Sequence, residues 1–210
     1  STQWNIESHG RTKILVVGQV ENDASIRYGT GKINTNIKLL KVVRKNFPKA
    51  FIIFKPHPDV VAGIRKKGSC EMLEQKFYNM KIDSGDAVAL FDIVDSVHTM
   101  TSLAGFEALL RNKKVYTYGQ PFYSSWGLTI DAMKVERRRR KLSLEELVFG
   151  CLIRYPTYVN KASKMYSSPE GVVNELIQKK QKSIEGMPLW RKFLRDFIRI
   201  WTHSNIRPNA

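Results

Sequence analysis

The chain has 210 residues, with 35 Lys and Arg against 19 Asp and Glu, for a formal net charge of +16. Such a length fits one domain of roughly 150–180 residues with an appendage, and its two cysteines, Cys70 and Cys151, lack metal-ligand spacing, which argues for reduced thiols and against a zinc site or disulfide framework. No run of about 18 apolar residues argues for a membrane-spanning helix, and the positive charge calls for an anionic partner: nucleic acid, anionic lipid, or a charged sugar or nucleotide.

The opening Ser1-Thr-Gln-Trp-Asn-Ile-Glu-Ser-His-Gly10 has neither an initiator Met nor an apolar leader. Residues 1–10 therefore read as a fragment start or linker. Thr12-Lys-Ile-Leu-Val-Val-Gly18 reads as a buried strand ending in Gly, followed by the polar loop Gln19–Ser25. A helix opens at Ile33-Asn-Thr-Asn36, with Ile37, Leu40, Val43 and Phe47 at helical spacing. Ala50-Phe-Ile-Ile-Phe54 is a second buried strand, one or two helices fill about 60–78, and a short helix covers Ala87–Phe91. Further strands are expected near 95–98 and 114–118, with a helix from Leu103 to Leu110 between them. Beyond the turn-rich Gly119–Gly127 the pattern is helical: Ser143-Leu-Glu-Glu146 is a capping box, followed by helices over 169–180 and 187–202. Strands alternating with helices predict an α/β fold, a Rossmann-like parallel sheet with helices on both faces, followed by C-terminal helices. The domain is expected over 11–182, with a basic amphipathic helix over 183–210.

Two segments fall where a strand hands over to a helix, the sheet edge at which such folds bind ligands. They are Lys55-Pro-His-Pro-Asp59 and His98-Thr-Met-Thr-Ser-Leu-Ala-Gly-Phe-Glu107. A hydroxyl N-cap at Thr101 or Ser102, beside free backbone N–H groups, suits a phosphate. His57, held between prolines, and Lys55 can supply further donors to the same group. The same residues also read as an ordinary helix cap and a hydrogen-bonded strand-end histidine.

The longer motifs resemble a known family. Gly18-Gln-Val-Glu-Asn-Asp-Ala-Ser-Ile26, Lys55-Pro-His-Pro-Asp-Val-Val61, His98 through Leu109, and Tyr118-Gly-Gln-Pro-Phe-Tyr123 with Trp126-Gly-Leu128 are similar to the capsule polysaccharide biosynthesis proteins of the KpsC type. The likeness continues through Arg137-Arg-Arg-Arg-Lys-Leu-Ser-Leu-Glu-Glu-Leu147 and Tyr155-Pro156, covering roughly residues 12–175. That resemblance implies one half of a GT-B-like glycosyltransferase: a retaining β-Kdo transferase using CMP-Kdo. The Glu-Asp-Gly-Phe-type motif of the family's N-terminal half has no counterpart here, so the chain is expected to be the C-terminal, nucleotide-binding half of a module, working with an N-terminal half.

Transfer from CMP-Kdo breaks the bond between the anomeric carbon and phosphate, and retention requires a carboxylate that attacks that carbon. The resemblance implies Asp23 in this role, with Glu21 as the neighbouring alternative and Gln19 and Ser25 orienting Asp23 or the sugar carboxylate. His57 and Lys55 resemble the His-Pro motif of bacterial sialyltransferases, whose His meets a CMP phosphate. Thr101 and Ser102 share that task, and Glu107 is expected at the ribose hydroxyls. No metal and no cofactor are expected besides the CMP-Kdo donor.

Other features carry two readings each. The Arg137–Lys141 run is a solvated linker or an anion contact, and Pro121–Gly127 lines a pocket or packs the domain. In the tail, Trp190, Leu194, Phe197 and Trp201 form one stripe among Arg191, Lys192, Arg195 and Arg199. That pattern suits a helix lying on anionic lipid or packing across a partner domain. The expected role is Kdo transfer to a lipid-linked Kdo acceptor in a Gram-negative capsule, at the cytoplasmic face of the inner membrane, without nucleic acid. Its rivals are a transferase using another CMP-sugar and a non-catalytic basic module binding lipid or nucleic acid.

Overall fold

In the computed structural model, residues 6–62, 71–85, 87–161 and 163–185 are described. The chain divides into two compact units, one running to Leu147 and the other from Val148.

The first unit begins with β1 (Lys13–Val17), α1 (Ala24–Gly29), α2 (Asn36–Asn46) and β2 (Phe51–Lys55). After α3 (Pro58–Val61) come α4 (Glu71–Glu74), a 3₁₀ turn, β3 (Met80–Lys81) and α5 (Val88–Phe91). It continues with β4 (Ser96–Thr99), α6 (Leu103–Leu109), β5 (Lys114–Thr117), β6 (Ile130–Asp131) and α7 (Leu144–Val148). The six strands form one sheet in the order β3-β2-β1-β4-β5-β6, and every pairing in it is parallel. This is the doubly wound, Rossmann-like arrangement expected from the sequence.

Strand burial explains why the apolar runs become central strands. All of β2 and β4 is buried, as is β1 beyond Lys13, because a parallel sheet covered by crossover helices has no wet face. Ile14, Val16, Ile52 and Phe54 form a core with Leu39, Leu40 and Val43 of α2 and with Met100 and Tyr118. Gly18 ends β1 because the chain passes close to β2 there: a Cβ would lie 2.9 Å from the Phe54 ring and 3.1 Å from the Pro56 Cα.

His98 lies wholly inside this core. Its ring stacks on Tyr116 at 4.2 Å and meets Phe47 edge-on, while Nε2 and Nδ1 pair with Ser96 Oγ and the Tyr118 phenol at 3.2 and 3.0 Å. Burial, aided by Lys114, pushes its pKa down to about 3, so the ring is neutral in the fold.

Several elements escape the sequence reading. β3 and β6 are two-residue strands, too short to carry a periodicity, and β6 lies beyond Gly127 in a stretch expected to be helical. The second unit holds a π-helical segment at Phe149–Arg154, an antiparallel pair of β7 (Tyr158–Val159) and β8 (Tyr166–Ser167), and α8 (Pro169–Glu185). The expected capping box is present, with Ser143 N donating to Glu146 Oε2 at 2.8 Å and Glu146 N to Ser143 Oγ at 3.1 Å. The helix expected over 187–202 lies outside the described residues. Among the described residues, no helix is long and apolar enough to cross a membrane.

Candidate functional site

In this strand order the chain reverses direction of winding between β1 and β4, and the carboxyl ends of strands at such a switch point are where folds of this kind bind ligands. Five segments converge there: the end of β1, the start of α1, the start of α2, the end of β4 and the turn into α6.

Gln19 is the hub. It is 7% exposed, and its backbone is clamped on both sides by one side chain, its N–H donating to Asn36 Oδ1 at 2.9 Å and its carbonyl accepting from Asn36 Nδ2 at 3.0 Å. With the backbone fixed, the amide reaches across to β4. Oε1 accepts from Thr101 N at 2.8 Å and Thr99 Oγ1 at 3.3 Å, and Nε2 donates to Thr101 Oγ1 at 2.9 Å. Thr101 Oγ1 passes the chain on to Ser25 Oγ at 3.3 Å. Three of the expected residues, Gln19, Thr101 and Ser25, are thus brought together.

Ser102, and not Thr101, is the N-cap of α6, its Oγ accepting from Ala104 N at 3.2 Å. Its own N–H is taken by Thr99 Oγ1 at 3.2 Å. The turn is braced from behind by Tyr123, whose phenol donates to the Ser102 carbonyl. Gly105 makes room for that ring, since a Cβ there would lie 2.2 Å from the Tyr123 oxygen.

Asp23 is exposed and caps α1, Oδ1 accepting from Ser25 N at 2.8 Å. Glu21 is turned to another task, with Oε1 accepting from Asn36 N at 2.8 Å at the start of α2. Asp23 and Ser25 are therefore held in one turn beside the Gln19–Thr101 bridge, while Glu21 anchors the segment from the other side.

His57 follows β2, next to β1 in the sheet, and caps α3 through Nδ1, which accepts from Asp59 N at 3.2 Å. That bond uses the Nδ1 lone pair and leaves the ring hydrogen on Nε2 as a donor. The Asp59 carboxylate lies 3.9 Å from the same Nδ1. Lys55 is buried at the end of β2, and its Nζ donates to the Asp83 carbonyl at 3.2 Å, just past β3. Glu107 is half-buried in the second turn of α6, and no hydrogen bond joins its carboxylate to the cluster.

Two positioning residues, Asn36 and Thr99, are absent from the sequence-based expectation. Thr99 sits in the His98-Thr-Met-Thr motif and was legible as a polar residue on a buried strand. Asn36 had only its place in the first turn of a helix as a signal, where a side-chain amide is commonplace. Among the described residues, no group of three His, Cys, Asp or Glu side chains is arranged to hold a metal ion.

A family model described as "Capsule polysaccharide biosynthesis protein" matches residues 3–162. The chain is 44% identical over 189 residues to the capsule polysaccharide modification protein LipA of Neisseria meningitidis serogroup B, covering 89% of this chain and 27% of that protein. It is 47% identical over 148 residues to the lipopolysaccharide-processing protein LpsZ of Rhizobium meliloti, covering 70% of this chain and 34% of that protein. It thus spans about a quarter to a third of the length of these relatives. Among solved structures, it matches the KpsC β-Kdo 2,7 transferase of Thermosulfurimonas dismutans with a TM-score of 0.74 and 42% identity, over 81% of this chain and 54% of that one. The β-Kdo 2,4 transferase from the same organism's KpsC matches with a TM-score of 0.71 and 32% identity, over 80% of this chain and 52% of that one.

Proposed function

Because this chain belongs to the capsule polysaccharide biosynthesis protein family, we propose that it is the nucleotide-binding half of a GT-B-like, retaining β-Kdo transferase, with CMP-Kdo as donor and a lipid-linked Kdo chain as acceptor. The observation that carries the reading is the bridge from Gln19 to Thr101 and Ser25. It holds hydroxyl groups beside an exposed carboxylate at the end of β1, next to the strand that leads into the His57 turn, in a chain 42% identical to a Kdo transferase.

In this reading His57 Nε2–H and the Thr101 and Ser102 hydroxyls meet the donor phosphate. They stabilise the charge that grows on it as the bond to the anomeric carbon breaks. Asp23 attacks that carbon from the opposite side, forming a glycosyl ester and releasing CMP; an acceptor hydroxyl then displaces the carboxylate, losing its proton, and the two inversions give retention. Gln19 fixes the distance between the two halves of the site and Ser25 holds the Asp23 turn. Glu107 is assigned to the ribose hydroxyls. Lys55, tied to the Asp83 carbonyl, contributes positive potential from within the sheet without touching the phosphate. Protein donors meet the phosphate here without a metal or cofactor. An N-terminal half supplies the rest of the site, and the enzyme works at the cytoplasmic face of the inner membrane, its basic tail against anionic lipid.

The test is binding of CMP to the full-length protein, followed by calorimetry. His57→Ala and Ser102→Ala each remove a donor to a charged group, which is worth roughly 1.5–3 kcal/mol, or about 10- to 100-fold in affinity. Undiminished CMP affinity in both variants sinks the donor assignment.

A further inference from the structure

The basic run in the sequence does not simply coat the surface. Residues 125–141 enclose a concave space of about 450 Å³, open to solvent, whose lining includes Lys134, Arg138, Arg139, Arg140 and Lys141 against Asp131 and Glu136. The volume falls within the ~300–1,000 Å³ typical of small-molecule sites and far exceeds the space a lone inorganic anion needs.

The wall is built in advance. Arg138 donates through Nη1 to the Pro121 and Ser124 carbonyls at 2.6 and 2.8 Å and lies over the Trp126 ring. Asp131 is consumed by structure, accepting from Thr117, Thr129 and Ser125 N at 2.6–2.9 Å. Those bonds, with Val135 N donating to Ser125 Oγ at 3.1 Å, keep Ser125 at φ +61°, a left-handed backbone that costs a non-glycine residue energy and persists only where surroundings impose it. Arg140 is paired with Glu146 at 3.2 Å, whereas Lys134, Arg139 and Lys141 form no ion pair among the described residues. Three cations are thus left facing a preformed concavity, an arrangement that repels itself until an anion enters.

We propose that this cavity is a second anion site, distinct from the donor cluster, that takes the carboxylates of an acidic oligosaccharide acceptor. A flat bilayer cannot enter a concavity, which disfavours a lipid surface as occupant. β6 lies two strands beyond β4 along the same sheet edge, about 10 Å at the usual strand spacing. The cavity therefore sits where sugars of a bound glycan, set back from the reacting hydroxyl, would extend. The assignment of this ligand as acceptor rests on the proposed donor site; the anion site itself does not.

The test uses the full-length protein and a Kdo disaccharide bearing two carboxylates, titrated by calorimetry beside its dimethyl ester, inorganic phosphate and phosphatidylglycerol vesicles. The expected result is binding of the free acid that weakens as salt rises, no binding of the ester, and at least a tenfold loss in the Lys134→Gln/Lys141→Gln double variant. Both lysines are exposed, so the fold survives their loss, and Arg139→Gln gives an independent check. CMP affinity is expected to stay within twofold of wild type in all three. Equal disaccharide affinity in wild type and variants, equal binding of the ester, or displacement of the disaccharide by equimolar phosphate or by the vesicles overturns the proposal. Failure of wild type to bind CMP, with disaccharide binding intact and lysine-dependent, refutes the donor reading alone.

Discussion

His98 lets the stability of the sheet edge be read through pH. In the fold the ring is neutral because burial holds its pKa near 3, whereas an unfolded histidine titrates near 6.5. Below about pH 6.5 the unfolded chain takes up a proton that the folded chain refuses until about pH 3. Stability is therefore fully present above pH 6.5 and is lost as the solution is acidified through that window. Each pH unit within it costs about 1.4 kcal/mol, so acidification from pH 7 to 4.5 removes roughly 2–3 kcal/mol through this residue. Urea unfolding of wild type and His98→Phe across that range isolates the effect. Phenylalanine keeps the stack on Tyr116 but leaves Ser96 Oγ and the Tyr118 phenol without their ring partners, so its absolute stability is lower. The informative quantity is the gap between the two proteins, which is expected to narrow by about 2–3 kcal/mol on acidification because the variant has no proton to gain. A gap that stays constant from pH 7 to 4.5 refutes the reasoning.

Asp23→Asn keeps a side chain that caps helices about as well as aspartate while removing the charge, so the fold and CMP affinity are expected to persist as transfer in the full-length enzyme falls below detection; transfer at a near wild-type rate returns Asp23 to a purely capping role. Gly105→Ala drives a methyl group into the Tyr123 phenol and is expected to cost about 2–4 kcal/mol through overpacking and loss of the bond to the Ser102 carbonyl. Denaturation checks the loss, and CMP affinity should fall with it because Ser102 moves. Deleting residues 187–210 should abolish binding to anionic vesicles, to which each Lys or Arg contributes roughly 1 kcal/mol, while leaving CMP binding in place; vesicle binding that survives the deletion moves the membrane contact elsewhere.

The parts legible in the sequence are those set by short-range physics. Apolar runs long enough for period and composition to speak gave β1 and β2, and the spacing of Ile37, Leu40 and Val43 gave α2. Caps are equally local: Ser102, Ser143 and Glu146 act within three or four residues of themselves, which is why the turn into α6 and the capping box could be placed. The four motifs, read as a resemblance, gave the family. Tertiary structure decided which of those residues meet. Gln19 and Thr101 are 82 residues apart and touch only because β1 and β4 are neighbours in the sheet order, and Asn36 clamps Gln19 across a loop whose path no local pattern specifies. Lys55 reads as one more phosphate donor beside His57, yet the fold brings the Asp83 carbonyl, 28 residues on and just past β3, to its ammonium. The basic run reads equally as a linker or an anion contact, and only the folding of residues 118–131 back beneath it makes a cavity, because concavity is a property of packed segments and not of a stretch of chain.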